Sequence, residues 1–274
     1  MGSICVFVNQ KGGVGKTTSA INIGAFLAEA GKSVLLVDFD AQANLSSGVG
    51  TELPKPGIYD LLSGEAAIEN ATRMTSVKNL YVIPADKDLA GATVELIDQK
   101  ERNYFLKNAL APIKEKYDFI LIDCPPSLGQ LTMNGLAAAD IILIPMQCEY
   151  FAMEGLIQLL DTTKEVQKGL NPSIKIGGIF FTMYDPRTRL ANDVIKQVSA
   201  HYKSMVFNTI IPRNIRLSEA PSFGMPISVY DPQCPGARAY NALAQEILHR
   251  MKKDNNCQPE KETLTDKKGG MDGA

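Results

Sequence analysis

The chain has 274 residues, 45% of them apolar and 21% charged, an ordinary globular composition long enough for one large core. Its 28 Lys and Arg against 30 Asp and Glu leave a formal charge of −2, which excludes a whole-molecule positive field; binding to nucleic acid or anionic lipid has to come from a local patch. Five cysteines without a C-x-x-C pair, and two histidines, argue against a disulfide framework or a zinc site and for a reducing, cytoplasmic setting. The start of the sequence has no basic leader and no apolar run reaches the ~18 residues that span a bilayer.

Short apolar runs rich in β-branched residues alternate with helical patterns, predicting strands over 3–8, 33–38, 79–84, 117–123, 140–145, 175–183 and 206–211. Unbroken runs such as Phe119-Ile120-Leu121-Ile122 and Ile141-Ile142-Leu143-Ile144 require cover on both faces. The expected fold is therefore α/β: three layers, with a mostly parallel, doubly wound sheet between helices and ligands at the strand C-terminal ends. A glycine-rich turn leads from the first strand into a helix over 17–30 stopped by Gly31. Residues 48–57 read as a loop, 185–189 as a turn into another helix, and a last helix runs from Gly236 to about Lys252. Residues 1–252 thus form a single domain, and 253–274 form a polar tail too poor in apolar residues to order itself.

The most informative segment is Gln10-Lys11-Gly12-Gly13-Val14-Gly15-Lys16-Thr17-Thr18. Three glycines between a strand and a helix let successive backbone N–H groups converge on phosphate oxygens, where the helix N-terminus adds positive charge. Lys16 reaches the β- and γ-phosphates and the Thr17 hydroxyl ligates Mg²⁺ in such a P-loop. The usual pattern has glycine at position 10, and this chain has Gln10.

Two acidic strand ends accompany the loop. Asp123 closes the 117–123 run before Cys124-Pro125-Pro126 forces the chain out of the strand, and it is placed to hold Mg²⁺ or its water shell. Asp38 and Asp40 end the second strand. With the loop and these acids the expected chemistry is β–γ phosphate hydrolysis by charge stabilisation, and no G-x-S-x-G, H-E-x-x-H or local Cys-His pair offers another. GTP is disfavoured because the [NT]-K-x-D guanine-reading motif is missing.

A lysine at the position of Lys11 makes the loop resemble that of the deviant Walker A ATPases, the P-loop family that includes ParA/Soj, MinD and the nitrogenase iron protein. The resemblance implies an ATP-dependent sandwich homodimer in which Lys11 reaches the partner's phosphates, and a first-switch role for Asp40 on the attacking water, with Asp38 structural. Relatives mostly carry proline where this chain has Ala41. Four further segments, Asp123-Cys-Pro-Pro-Ser127, 145–155, 182–190 and above all Ile211-Pro-Arg-Asn-Ile-Arg-Leu-Ser-Glu-Ala-Pro-Ser222, look like the chromosomal ParA/Soj branch. That likeness implies that Pro212 and Arg213 lie against the adenine and ribose. It also implies nonspecific binding of double-stranded DNA by the ATP dimer through Arg187 and Arg216, and release when a ParB-type partner stimulates hydrolysis, so the expected location is the nucleoid. The chain begins at its first strand, so a sequence-specific autorepressor is not expected.

Charge is consistent with this. Residues 185–220 contain Arg187, Arg189, Lys196, Lys203, Arg213 and Arg216 against Asp185, Asp193 and Glu219, a basic segment on an acidic body, with Arg189, Lys196 and Lys203 as further candidate phosphate contacts. The alternative reading is a MinD-like, membrane-associated division regulator. That requires a C-terminal helix with apolar and basic faces, whereas 252–274 balances five lysines with five acids and has almost no bulky apolar residues, so no membrane partner is expected. A nitrogenase-type redox role would need paired cluster cysteines that the surroundings of Cys124 and Cys148 do not resemble.

Overall fold

Seven strands, β1 (Ser3–Phe7), β2 (Val34–Asp38), β3 (Arg73–Met74), β4 (Leu80–Ile83), β5 (Phe119–Asp123), β6 (Ile141–Gln147) and β7 (Lys175–Thr182), form one sheet in the order β3-β4-β2-β5-β1-β6-β7. The structure, a computed structural model, describes residues 2–51, 55–95 and 99–256. Every pairing is parallel except that of β3 with β4.

Alternate side chains of each strand enter opposite cores, which is why the strands read as unbroken apolar runs. On one face Val6, Ile120, Ile122, Ile142 and Ile144 pack with Leu131, Leu136, Leu156 and Leu159 from the helices Gln130–Ala138 and Ala152–Lys168. On the other, Phe7, Leu36, Leu121 and Leu143 meet Ala20, Ile23 and Leu27 of the helix Lys16–Glu29 and Tyr240 and Leu243 of the helix Pro235–Asn256. Central β1 is flanked by β5 and β6, and the chain departs to opposite sides of it, so the β1 exit is a switch point of the doubly wound sheet.

The expected elements need correction in several places. Residues 206–211 do not form a strand: Val206 touches the sheet edge through an isolated bridge to Ile179, and Pro212, just past the segment, through one to Tyr184. Phe207 N donates to Ile179 O (2.8 Å), but the Thr209 N–H that should follow it in the ladder is held by the Glu246 carboxylate (3.0 Å), which also accepts from Asn208 N (2.8 Å), and the next bond to β7 comes only from Ile211 N. The two-residue antiparallel β3 is too short to show a period in sequence. The last helix continues to Asn256 because no glycine or proline interrupts 237–256; the rest of the expected tail, 257–274, lies outside the described residues. Gly48, read as the start of a loop, closes the short helix Asn44–Gly48.

Candidate nucleotide-binding site

The loop between β1 and the helix Lys16–Glu29 turns through Gly13 and Gly15, whose φ values of 72° and 87° lie in the left-handed region that side chains disfavour. Its carbonyls are tied back to the sheet: Val14 O accepts from Thr182 Oγ1 (2.8 Å) and Gly13 O from Gln147 Nε2 (3.0 Å). No side chain caps the helix at Gly15, so its first N–H groups and positive end are available to an anion.

Lys16 is buried and curls over this loop, its Nζ donating to Asn9 O (3.2 Å) and Lys11 O (3.4 Å). Burial lowers its pKa, opposed by the negative charges of Asp123 and Asp40 nearby. Lys11 points elsewhere: its ammonium pairs with Glu149, just beyond β6, while its backbone N–H donates to Asn9 Oδ1 (3.0 Å).

Parallel register aligns Phe7 with Asp123 and Asp123 with Asp38, bringing both acids to the rim from which the loop springs. Their surroundings differ. Asp38 is fully engaged, accepting from Ser46 N (2.8 Å), Ser46 Oγ (2.6 Å) and Asp40 N (3.3 Å), and burial pushes its pKa up to about 6. Asp123 is also buried, but its Oδ1 has no partner. Desolvation, and after it the Asp38 charge, push its pKa up to about 8, against a hydrogen bond from the Thr17 side chain and the Lys16 ammonium. A buried acceptor without a donor needs an explanation, and beside a hydroxyl it suits a divalent cation with oxygen ligands. Thr17 and Asp123 would hold Mg²⁺ there. Asp40, half-buried two residues past β2, uses its carboxylate Oδ1 to accept the Gln42 N–H (3.0 Å).

A cavity of about 300 Å³ opens on the other side of the loop, lined by Gly15, Thr18, Met183, Pro212, Arg213 and Asn214, with Tyr240 at its base. Tyr240 is anchored to Ser19 Oγ at 3.0 Å. A larger cavity, about 620 Å³, lies at the N-terminal ends of the strands around Asp140 and Lys175, remote from this chemistry. The structure thus brings Lys11, Gly12, Gly13, Val14, Gly15, Lys16, Thr17 and Thr18 together with Asp123 and Asp40, and sets Pro212 and Arg213 in the adjoining cavity. It adds Asn9, Gln147, Glu149, Thr182 and Tyr240, which no motif marks as site residues. Gln147 and Glu149 stand inside the 145–155 segment, whose irregular polar residues at the end of an apolar strand were the available signal.

The basic candidates lie apart. Arg189 and Lys196 belong to the helix Arg189–Tyr202, Lys203 directly follows it, and Arg187 precedes it. Arg216 stands on the helix Ile215–Glu219. Backbone bonds from Tyr184 N to Ile211 O (3.0 Å) and from Arg213 N to Tyr184 O (2.9 Å) join the two segments. Both principal arginines already have carboxylates: Arg187 grips Asp185 through Nε (2.9 Å) and Nη2 (2.6 Å), and Arg216 pairs with Glu219 (2.9 Å) and Asp231 (3.5 Å).

Residues 2–176 match the AAA domain family. The chain is 64% identical over 250 residues to the chromosome-partitioning ATPase Soj of Treponema pallidum, covering 91% of this chain and 98% of that protein. It is 51% identical over 249 residues to the sporulation initiation inhibitor protein Soj of Bacillus subtilis, covering 90% and 98%. Among solved structures it is similar to cobyrinic acid a,c-diamide synthase from Mycobacterium smegmatis with bound ATP analogue and magnesium, at TM-score 0.81 and 38% identity over 93% of this chain and 97% of that one. With the P-loop, the two strand-end aspartates and the doubly wound sheet in place, these likenesses show that the chain belongs to the ParA/Soj family of deviant Walker A, P-loop ATPases.

Proposed function

We propose that the chain hydrolyses ATP with Mg²⁺ as a chromosome-partitioning ATPase, binding DNA nonspecifically as an ATP-dependent homodimer and leaving it after hydrolysis stimulated by a ParB-type partner. The observation that carries the nucleotide chemistry is the buried Asp123 carboxylate, one oxygen without a donor, set beside Thr17 and Lys16 at the mouth of the glycine loop.

Bound Mg²⁺ would neutralise charge on the phosphates. The loop N–H groups and Lys16 bind the β- and γ-phosphates, Lys16 exchanging its two carbonyl acceptors for phosphate oxygens. Asp40 orients the attacking water from the neighbouring strand end. Pro212 and Arg213 flank the base and ribose in the adjoining cavity. Lys11, on an exposed arm, is free to leave Glu149 for a partner's phosphates.

The DNA reading is supported by the basic residues gathered on 187–203 and at Arg216. Each protomer offers few contacts, and log affinity falls by about 0.9 per tenfold rise in salt for each neutralised phosphate, so two protomers together bind usefully where one does not. Hydrolysis that separates them halves the contacts. No helix among the described residues is long and apolar enough to cross a membrane. The test is DNA retention across a salt series with ADP, ATP and a nonhydrolysable ATP analogue. Retention that requires ATP or the analogue and falls steeply with salt is expected; retention indifferent to nucleotide would overturn the proposal.

A further inference from the structure

Arg216 is held more firmly than an ordinary surface arginine. Its Nη1 donates to Glu219 Oε2 at 2.9 Å and its Nε lies 3.5 Å from Asp231 Oδ2. The same Glu219 oxygen accepts the Tyr230 hydroxyl at 3.1 Å, and the Tyr230 ring stacks on Phe223, centroids 5.0 Å apart. The clamp is therefore assembled from three short elements, Ile215–Glu219, Ala220–Phe223 and Ile227–Tyr230 with the Asp231 that follows it. The guanidinium remains half exposed, within reach of solution anions. Leu217 and Ser218, between Arg216 and Glu219 in sequence, line the cavity assigned to the base, so one five-residue helix carries both the clamp and part of the nucleotide wall.

We propose that Glu219, supported by Asp231 and Tyr230, is a built-in competitor for Arg216. It keeps the guanidinium on the protein until a DNA phosphate displaces it. This rests on the DNA-binding reading above and deepens it. A phosphate gains Arg216 only by replacing a carboxylate of similar geometry, so the net gain of each contact is small. Small gains per protomer are what a two-protomer switch requires: a single copy stays off DNA at ordinary salt, while a pair multiplies two weak contacts.

The test measures DNA retention against salt with the nonhydrolysable ATP analogue for four proteins: the unmodified chain, Glu219→Gln, Arg216→Ala and the double variant. Glutamine keeps the shape and the acceptor for Tyr230 while removing the charge. An exposed pair of this kind is worth about a two- to fivefold change in affinity per protomer, so Glu219→Gln is expected to tighten binding by about four- to twenty-fivefold in the dimer. Asp231→Asn should act in the same direction and serves if Glu219→Gln folds poorly. Glu69→Gln makes the same charge change on the helix Ile68–Ala71, where Glu69 pairs with Lys116, and should leave retention unchanged. The double variant should match Arg216→Ala. If Arg216→Ala weakens retention but Glu219→Gln does not tighten it, or Glu69→Gln tightens it equally, the competitor role is overturned with the DNA reading intact. If Arg216→Ala itself retains DNA normally, the assignment of Arg216 to DNA fails and takes the clamp with it.

Discussion

Lys11 and Glu149 form an ion pair within one chain, joining the start of the phosphate loop to the end of β6. Both side chains are half exposed, so the pair contributes only about 0–1 kcal/mol and can be exchanged for a stronger partner. In the dimer proposed above, a lysine that would reach the other protomer's phosphates is thereby parked on its own chain. Glu149→Gln should release it and lower the protein concentration needed for analogue-induced dimerisation by about four- to twenty-fivefold, that pair energy counted once in each protomer. Sedimentation velocity with the nonhydrolysable analogue checks this; weaker dimerisation would show that Glu149 acts in the dimer instead. Lys11→Ala should remove nucleotide-dependent dimerisation.

Lys16→Ala should abolish ATP turnover and tight nucleotide binding, since the ammonium buried in the loop would be gone. Retained turnover would remove the phosphate-loop assignment. Asp123→Asn separates stability from activity. The carboxylate is buried at a cost that its neighbours do not fully offset, so the amide should melt no lower than the parent without nucleotide, while Mg²⁺-dependent turnover falls by a factor on the order of 100 or more, the scale on which charge-stabilising groups act. Calorimetry and a phosphate-release assay on the same preparation decide it.

Asp40→Ala should give a protein that dimerises with ATP and stays on DNA, because water orientation is lost while the phosphate contacts survive. Light scattering with ATP is the measurement, and a monomer under these conditions would contradict the role given to Asp40. Ser46, the partner that keeps Asp38 satisfied, is untouched by the change.

Arg187→Ala and Arg216→Ala should each weaken DNA retention and reduce the log–log salt slope by about 0.9 for every phosphate that is no longer neutralised. Dimerisation should be spared. Lys196 and Lys203 carry no carboxylate partner among the described residues, so their alanine variants should lose affinity without also leaving an unpaired carboxylate such as Asp185 or Glu219 to repel DNA. Unchanged retention in all four would assign these residues to a solvated face.

What the sequence made legible follows from range. The P-loop is a contiguous segment in which glycine conformation, helix start and lysine reach all act over a few residues, and the strand-end aspartates follow from burial pattern and the proline exit after Cys124. The pairing of Lys11 with Glu149 spans 138 positions and depends on β1 lying beside β6, which no local pattern encodes. The same holds for Arg216 and Asp231, and for Tyr240 beneath the base cavity. The false strand over 206–211 has this origin too: Val206, Phe207, Ile210 and Ile211 give the right composition, and the residue that overrides it, Glu246, is 37 and 38 positions from the donors it captures.

Glu246 makes that override measurable. Its carboxylate accepts four bonds, from Asn208 N, Asn208 Nδ2, Thr209 N and Thr209 Oγ1, and pairs with Arg250 at 3.1 Å. Arg250 in turn lies 4.0 Å from the centroid of the Phe207 ring and donates to Met205 O and Val206 O. Desolvation by burial acts to raise the Glu246 pKa, but these hydrogen bonds, with the Arg250 charge, outweigh it and hold the pKa below the usual value. Glu246→Ala would strand two backbone donors at the sheet edge and free the segment leading to Pro212 and Arg213. Asn208 is exposed and its N–H can turn to water, so the loss expected is that of the half-buried Thr209 bonds, about 0.5–2 kcal/mol in stability, read from urea denaturation. Because the freed segment ends at the cavity proposed for the base, the affinity for a fluorescent ATP analogue should fall with it, whereas Glu246→Gln, which keeps one of the two acceptor oxygens, should recover part of both. An alanine variant that loses stability without losing nucleotide affinity would show that the 206–211 segment does not position Arg213.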